Sequence, residues 1–435
     1  FMDKMADVLG RAGAWCGQNK YLSAIKNAFQ NFMPLTIAGA IGVLWCNVLV
    51  NESTGLGLFF KPIMALDFLN PAFQAVNFCT ISCITVGITL GIAQEIGVWN
   101  MGAERAGYIP GLVGLAAWLS VTNTSHMVDG AKEAFTGVAG NELGATGLFT
   151  GMIIGVLSVE LFCFFEKQDA LKIKMPEQVP PGVARAFEVL VPATITLIIT
   201  ACIGSACYNL TGLYLNDVIK NGVQGPLGAV GATIPGVMII YLVIMLFWLV
   251  GIHGNNMLSA VKEALFTPLA LENVEAFNKG ETPKNIINMY FLQMCGEFGG
   301  SGVTIGLVIA IMIFGKREDN KAIATLSLVP GLFNINETVT FGIPMVLNPI
   351  LGIPFVFACL VTILVGYVLT VIGFCPVACL TVPWTTPPIV FGFLACGANV
   401  MGAVTQAILI VVSTVIYVPF LISYEKYQNK QAAEA

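Results

Sequence analysis

Between Ala322 and Tyr424, a run of 103 residues, there is one charged side chain, Glu337. A charge at the centre of a membrane helix costs roughly 2.5 to 3.5 kcal/mol on insertion scales, so an ionisable group in such a run marks a site by default. Glu337 follows Pro330 and Gly331 in NINET, between Asn334, Asn336 and Thr338, so amide and hydroxyl partners are local. A carboxylate there can take a hydrogen bond from an alcohol or act on it as a general base. The competing reading is a glutamate in a loop wetted by one membrane face, which the apolar residues downstream oppose. His253 is one of two histidines and ends the apolar run from Ile234 in GIHGNN. Glycines beside it would let backbone approach a ligand, while a histidine capping a helix C-terminus accounts for the position equally well. His126, with Ser125 and Asp129, reads as a loop residue.

A pyranose ring stacks its C–H face on an aromatic ring while its hydroxyls take hydrogen bonds. Trp384 in VPWTTPP suits that role, because three prolines preclude regular helix and two threonines supply hydroxyls. Trp248 is a weaker candidate, since tryptophans near span ends commonly anchor at the membrane interface. Asn141 and Glu142 in GNELG open an apolar span and read as a helix cap or as groups reaching a cavity.

These residues need elements that bring them together, and the composition says what kind. Of 435 residues 56% are hydrophobic and 10% charged, with a mean hydropathy of +0.82. Soluble proteins carry about 25% charged residues, so the chain is expected to be an all-α polytopic membrane protein. A net charge of −5 offers nucleic acid no basic footprint. Most of the twelve cysteines lie in apolar runs and read as free. Cys79/Cys83 and Cys375/Cys379 have helical spacing but no histidine or carboxylate nearby, so no metal and no cofactor are expected. No cleaved signal is expected, because the first apolar run starts late. No GxxxxGK[ST] or dinucleotide loop is present, which excludes ATP as the chain's own fuel.

A 30 Å hydrocarbon core takes roughly 20 helical residues. Charge-poor windows run from Phe29 to Val50, Phe68 to Gln94, Ala106 to Val128, Leu143 to Phe165, Val189 to Asn216, Ala232 to Ile252 and Phe298 to Gly315, before the long run. Basic residues gather before the first span, at Lys167 to Arg185, at Lys316 to Lys321 and at Lys426 and Lys430, which places both termini in the cytoplasm. One crossing between Lys284 and Lys316 would break that pattern, so Gly296 to Gly302 (GEFGGSG) is expected to be a broken or re-entrant segment. Irregular backbone survives at membrane depth only where protein buries it or it lines a wet cavity. Such breaks concentrate in GIHGNN, GEFGGSG, Pro330 to Pro354 and Cys375 to Pro388. We therefore expect a scaffold over residues 1–186, a fifth span and connection over 187–232, a substrate-binding and transport region over 233–425, and a tail over 426–435. The proline-bearing Lys167 to Gly182 segment reads as a linker.

At NINETVTFGIPMVLNPILGIPF, with VPWTTPP, GGSG and LGATGLF, the sequence resembles the membrane-embedded C component of enzyme II of the bacterial sugar phosphotransferase system. The branch is the lactose/cellobiose/diacetylchitobiose one, and the likeness, which covers essentially the whole chain, is greatest to the N,N'-diacetylchitobiose transporters. Thr338 stands where many relatives have proline. The resemblance implies about ten transmembrane helices plus re-entrant hairpins, in a homodimer in the bacterial cytoplasmic membrane that moves a β-linked disaccharide by alternating access. It implies that a phosphocysteine on a separate B component phosphorylates the sugar's 6-hydroxyl; no domain carrying that cysteine is expected within this chain. By the same resemblance Glu337 is the base or hydroxyl-orienting acceptor and His253 its partner, the two catalytic residues. Asn336 binds another hydroxyl, Trp384 stacks on a ring, and Trp248 and Asn141 join the pocket. Ser259 to Lys284 and Lys316 to Lys321 are expected to be cytoplasmic loops where the B component docks.

The residues alone leave a second reading open, an ion-coupled secondary transporter in which Glu337 and His253 bind protons. An intramembrane hydrolase lacks its motif. Nothing in the spacing fixes which disaccharide is bound.

Overall fold

The computed structural model describes residues 2–52, 56–126, 135–176 and 178–434. They are mostly helical, as the apolar windows require, with one departure from an all-α chain: Ser125–His126 pairs antiparallel with Phe135–Thr136 as a two-residue ribbon. The expected span end at Val128, and Asp129, lie outside the described residues. Five helices are long and apolar enough to cross a membrane: Lys20–Leu49, Ala145–Glu166, Pro181–Thr211, Gly352–Val371 and Val400–Glu434. Two bent pairs, Lys61–Ser82 with Ile84–Met101 and Met289–Val303 with Ile305–Phe314, raise the number to seven, and the apolar helices Ile109–Val121 and Ile234–Leu249 are shorter. The second bend, 59°, comes just after GEFGGSG, and within that run the helix is interrupted at residues 297–300, where a break was expected.

The chain divides into two compact units, one of residues 18–39 and 76–228, the other of residues 1–17, 40–75 and 229–435. In the first unit the helices Ile84–Met101, Ile109–Val121 and Ala145–Glu166 pack closely because small residues face each other. A Cβ on Gly151 would lie 2.2 Å from Thr89 Oγ1, so only glycine fits there. Hydrocarbon gives helices no hydrophobic reason to associate, and close van der Waals contact supplies the attraction instead. Trp118, Ala117, Val121 and Ile154 form a buried core beside these contacts. At one end the buried Glu166 carboxylate takes bonds from Arg105 Nε and Arg185 Nη1, both 2.9 Å, and each arginine also reaches Glu188. This ties the linker-proximal end of Pro181–Thr211 to Ala145–Glu166. The first turn of Pro181–Thr211 begins on a proline, where no amide hydrogen is needed.

In the second unit the breaks are held by side-chain amides. Asn288 caps Met289–Gly296 by accepting from the Tyr290 and Phe291 amides at 2.9 and 3.2 Å. Its Nδ2 donates to the Ala378 carbonyl at 3.0 Å, which Asn273 Nδ2 also reaches at 3.0 Å. Buried Gln406 accepts from the Ile389 and Gly392 amides, both at 2.7 Å, and donates to the Met294 carbonyl. The start of Glu318–Leu332 is closed from a distance: Glu425 accepts from the Lys316 and Arg317 amides and from Asn320 Nδ2. Arg317 donates twice to Asp319 and holds its carboxyl below the usual carboxylate range.

One expected loop is not a loop. Ser259–Asn278 is a 20-residue helix with Lys262, Phe266, Ala270 and Val274 buried, so the Ser259 to Lys284 stretch is largely an ordered helix. The apolar i, i+4, i+8 row Phe266, Ala270, Val274 drives this, and the charges that suggested a loop lie around it. Replacing Asn288 by alanine removes a helix cap and leaves the Ala378 carbonyl one donor short; we expect a loss of about 2 kcal/mol, read as a lowered midpoint of thermal unfolding in detergent.

Candidate functional site

His253 and Glu337 belong to segments far apart in sequence and meet in the second unit, with His253 Nε2 3.9 Å from Glu337 Oε1. The apolar helix Ile234–Leu249 ends at Gly251, whose φ is +82°, and the chain turns into the short helix Gly254–Met257. His253 is the N-cap of that helix, not a C-cap of the preceding one: its Nδ1 accepts from the Asn256 amide at 3.2 Å. A neutral imidazole accepting at Nδ1 carries its proton on Nε2, so the donor side of the ring faces the carboxylate. Gly254 does not serve a ligand, because a Cβ there would meet the Ile244 carbonyl oxygen at 2.0 Å. The ring lies 4.4 Å from that of Trp248. Trp248 is 2% exposed, so it backs the histidine and is not an interfacial anchor.

Glu337 begins the short helix Glu337–Gly342 with Asn336 as its N-cap. The local amides expected to partner the carboxylate turn elsewhere. Asn336 Nδ2 donates to the Ser301 carbonyl at 2.9 Å. Asn334, at φ +64°, accepts from the Gly299 amide at 2.7 Å and donates to the carbonyls of Trp384 and Thr386. One amide side chain thus stitches NINET, GEFGGSG and VPWTTPP together, and three sequence breaks become one site. Gly300, at φ +88°, has no room for a side chain, since a Cβ would lie 2.6 Å from that of Asn336. Glu337 and His253 are half-exposed, at 48% and 39% of their side chains, and so are open to a ligand.

The gap between the two has a chemical meaning. At 3.9 Å it exceeds hydrogen-bond length, but an oxygen about 2.8 Å from each atom fits between them. A hydroxyl there would donate to Glu337 and accept from His253 Nε2–H. Trp384 is 43% exposed, its backbone fixed by Asn334 and its ring free on the surface. Asn141 lies in the other unit, exposed within Gly140–Leu143. It caps neither that helix, whose N-cap is Ala139, nor the next, whose N-cap is Gly144.

Five residues of the site were not singled out in the sequence. Lys262, 5% exposed, pairs with Glu297. Tyr241 donates to the same carboxylate at 2.7 Å, and Asn255 Nδ2 donates to Ser301 Oγ at 2.9 Å. The signal was available for Glu297 and Asn255, since both sit inside glycine-rich breaks; Lys262 and Tyr241 lie on regular apolar helices and are found only by contact.

The chain's residues 26–359 match the family described as phosphotransferase system, EIIC. It is similar to the oligo-beta-mannoside-specific EIIC component of Bacillus subtilis, 33% identical over 98% of this chain and 94% of that one. The cellobiose-specific EIIC component of Lactococcus lactis is 29% identical over 98% of both. The lactose-specific EIICB component of Streptococcus mutans is 31% identical over 96% of this chain and 71% of its own length. A solved structure, the transporter ChbC, the IIC component from the N,N'-diacetylchitobiose-specific phosphotransferase system, superposes with a TM-score of 0.87 at 30% identity, covering 97% of each chain. A helical membrane chain whose broken second half gathers one carboxylate and one imidazole thus matches one family along most of its length, and it belongs to the EIIC permeases of the phosphotransferase system, of the cellobiose/chitobiose/lactose type, in the cytoplasmic membrane.

Proposed function

We propose that this EIIC component binds a β-linked disaccharide, N,N'-diacetylchitobiose foremost, and presents its 6-hydroxyl between Glu337 and His253 for phosphorylation by a separate B component. The observation that carries the reading is the 3.9 Å gap between a carboxylate oxygen and an imidazole N–H, both accessible. In the transfer, the sugar oxygen bonds to phosphorus as the bond from phosphorus to the donor's cysteine sulfur breaks. The hydroxyl proton passes to Glu337 and the thiolate stays on the B component. His253 holds the attacking oxygen, since phosphoryl transfer depends mainly on positioning and charge stabilisation. Asn336 and Trp248 complete the wall around this point, and Trp384 stacks on a sugar ring. Asn141 is proposed as a further sugar-binding residue by family likeness alone.

The same reading has about ten transmembrane helices with both termini in the cytoplasm and a homodimer formed through the first half of the chain. The sugar is carried by alternating access of residues 233–425. The relative named an EIICB component supports a B partner for the C component. Relatives named for oligo-beta-mannoside, cellobiose and lactose, beside the diacetylchitobiose neighbour, support a β-linked sugar.

Binding of radiolabelled diacetylchitobiose to the purified protein, with cellobiose and lactose as competitors, tests the substrate; absence of binding by all three overturns it. With phosphorylated B component added, Glu337→Gln is expected to lower the rate of sugar phosphorylation about 100-fold or more. Its affinity for sugar should fall about tenfold through loss of one charged hydrogen bond. His253→Ala should also slow transfer. Unphosphorylated sugar accumulating without any B component would instead favour ion coupling. Trp384→Ala is expected to weaken binding about tenfold while the maximal rate of transfer stays within a factor of about two; an unchanged dissociation constant would remove the stacking role.

A further inference from the structure

His253 and Glu337 do not hold each other, because 3.9 Å is too long for a hydrogen bond. Something else must set their spacing, and reaction rate is sensitive to it: a misplacement of about 1 Å can cost roughly 100-fold. Besides the backbone bond from the Leu347 amide to the Leu249 carbonyl at 2.8 Å, a path through side chains joins the two segments close to both residues. Asn255, two residues after His253, donates from Nδ2 to Ser301 Oγ at 2.9 Å. Ser301 in turn receives Asn336 Nδ2 on its carbonyl at 2.9 Å, one residue before Glu337. Ser301 and Asn336 are each 4% exposed, so water has little access to their ends of these bonds, while Asn255 is part-buried.

The orientation of the Asn255 amide is also fixed. Its Oδ1 takes a bond from Lys262 Nζ at 3.3 Å, and Lys262 is held by Glu297, which Tyr241 steadies from the other side. An ammonium has no acceptor, so the amide can only turn its oxygen to Lys262 and its NH2 to Ser301. The buried Lys262 and Glu297 pair makes no hydrogen bond to His253 or Glu337; both charges act on the imidazole through space, and the pair's hydrogen-bonded link toward the site runs through this amide.

We propose that Asn255 and Ser301 are positioning residues for phosphotransfer: their hydrogen bond, oriented by Lys262, sets the distance between the His253 ring and the Glu337 carboxylate. The inference rests on the reading of these two as the pair around the reactive hydroxyl.

The test uses the full-length protein with phosphorylated B component and diacetylchitobiose, scoring kcat and KM separately alongside thermal unfolding. Asn255→Ala should lower kcat at least about tenfold with KM within about threefold, since alignment and not affinity is lost. Added to His253→Ala it should cost less than about twofold further, because the group it positions is already gone. Ser301→Ala, which removes the same bond with little change in volume and serves if Asn255→Ala fails to fold, should behave alike, and the Asn255/Ser301 double variant should be no slower than the worse single one. Equal fold-losses in the wild-type and His253→Ala backgrounds, or losses that follow the folded fraction, overturn the proposal and leave the bond a structural one. A wild-type rate in His253→Ala alone would instead sink the reading of the site, and this inference with it.

Discussion

Backbone that leaves the helix at membrane depth must find its hydrogen bonds inside the protein, because lipid supplies none. In the second unit of this chain that demand is met largely by amide side chains. Asn334 takes the Gly299 amide and gives to the carbonyls of Trp384 and Thr386. Asn288 and Asn273 share the Ala378 carbonyl, and Gln406 takes two amides at the start of Val390–Ala395. An amide side chain carries both a donor and an acceptor, so one residue can close two open ends of backbone at once. The GEFGGSG, NINET and VPWTTPP breaks are therefore one assembly, and the site exists where they converge.

The price of that assembly is conformational. Among the described residues five other than glycine have positive φ, and they include Val303, Asn334 and Ile389, each at or next to one of these breaks. Left-handed backbone at a valine or isoleucine is unfavourable by about 1 to 3 kcal/mol and persists only when the surroundings over-determine it. Here the surroundings are the amide bonds and the close contacts at Gly300 and Gly302. All five lie in the second unit, while the first unit, whose helices pack through Gly151, Gly114 and Thr89, has none at a non-glycine residue among its described residues. Bringing a carboxylate and an imidazole from distant segments to within 3.9 Å needs chain directions that one regular helix cannot give.

The charge distribution follows the same division. In the first unit Glu166, Arg105, Arg185 and Glu188 cluster near helix ends, and Glu160, inside its helix, pairs with Lys20. In the second unit Lys262 and Glu297 are drawn in, beside Tyr241, and are costly unless paired. Pairing leaves each with one further polar contact, and that of Lys262 is the Asn255 amide. Glu337, by contrast, keeps its carboxylate accessible and unbonded to its own neighbours Asn334 and Asn336, as the proposed role of proton acceptor requires.

The sequence by itself determined the medium, the helical class and the places where helices stop, because composition, charge-free length and glycine or proline punctuation are properties of single segments. It also isolated Glu337, since one charge in an apolar run is visible without any partner, and its motif carried the family resemblance. It left open what depends on contact. His253 caps a following helix, Trp248 lies behind it and not at an interface, and Ser259–Asn278 is a part-buried helix where a docking loop was expected. Lys262 could not be separated from surface lysines, because its burial is set by Glu297 in a segment remote in sequence. Only the tertiary structure decided which breaks meet, and with them the 3.9 Å between His253 and Glu337, since hydrogen bonds between distant segments leave no periodicity in the chain that makes them.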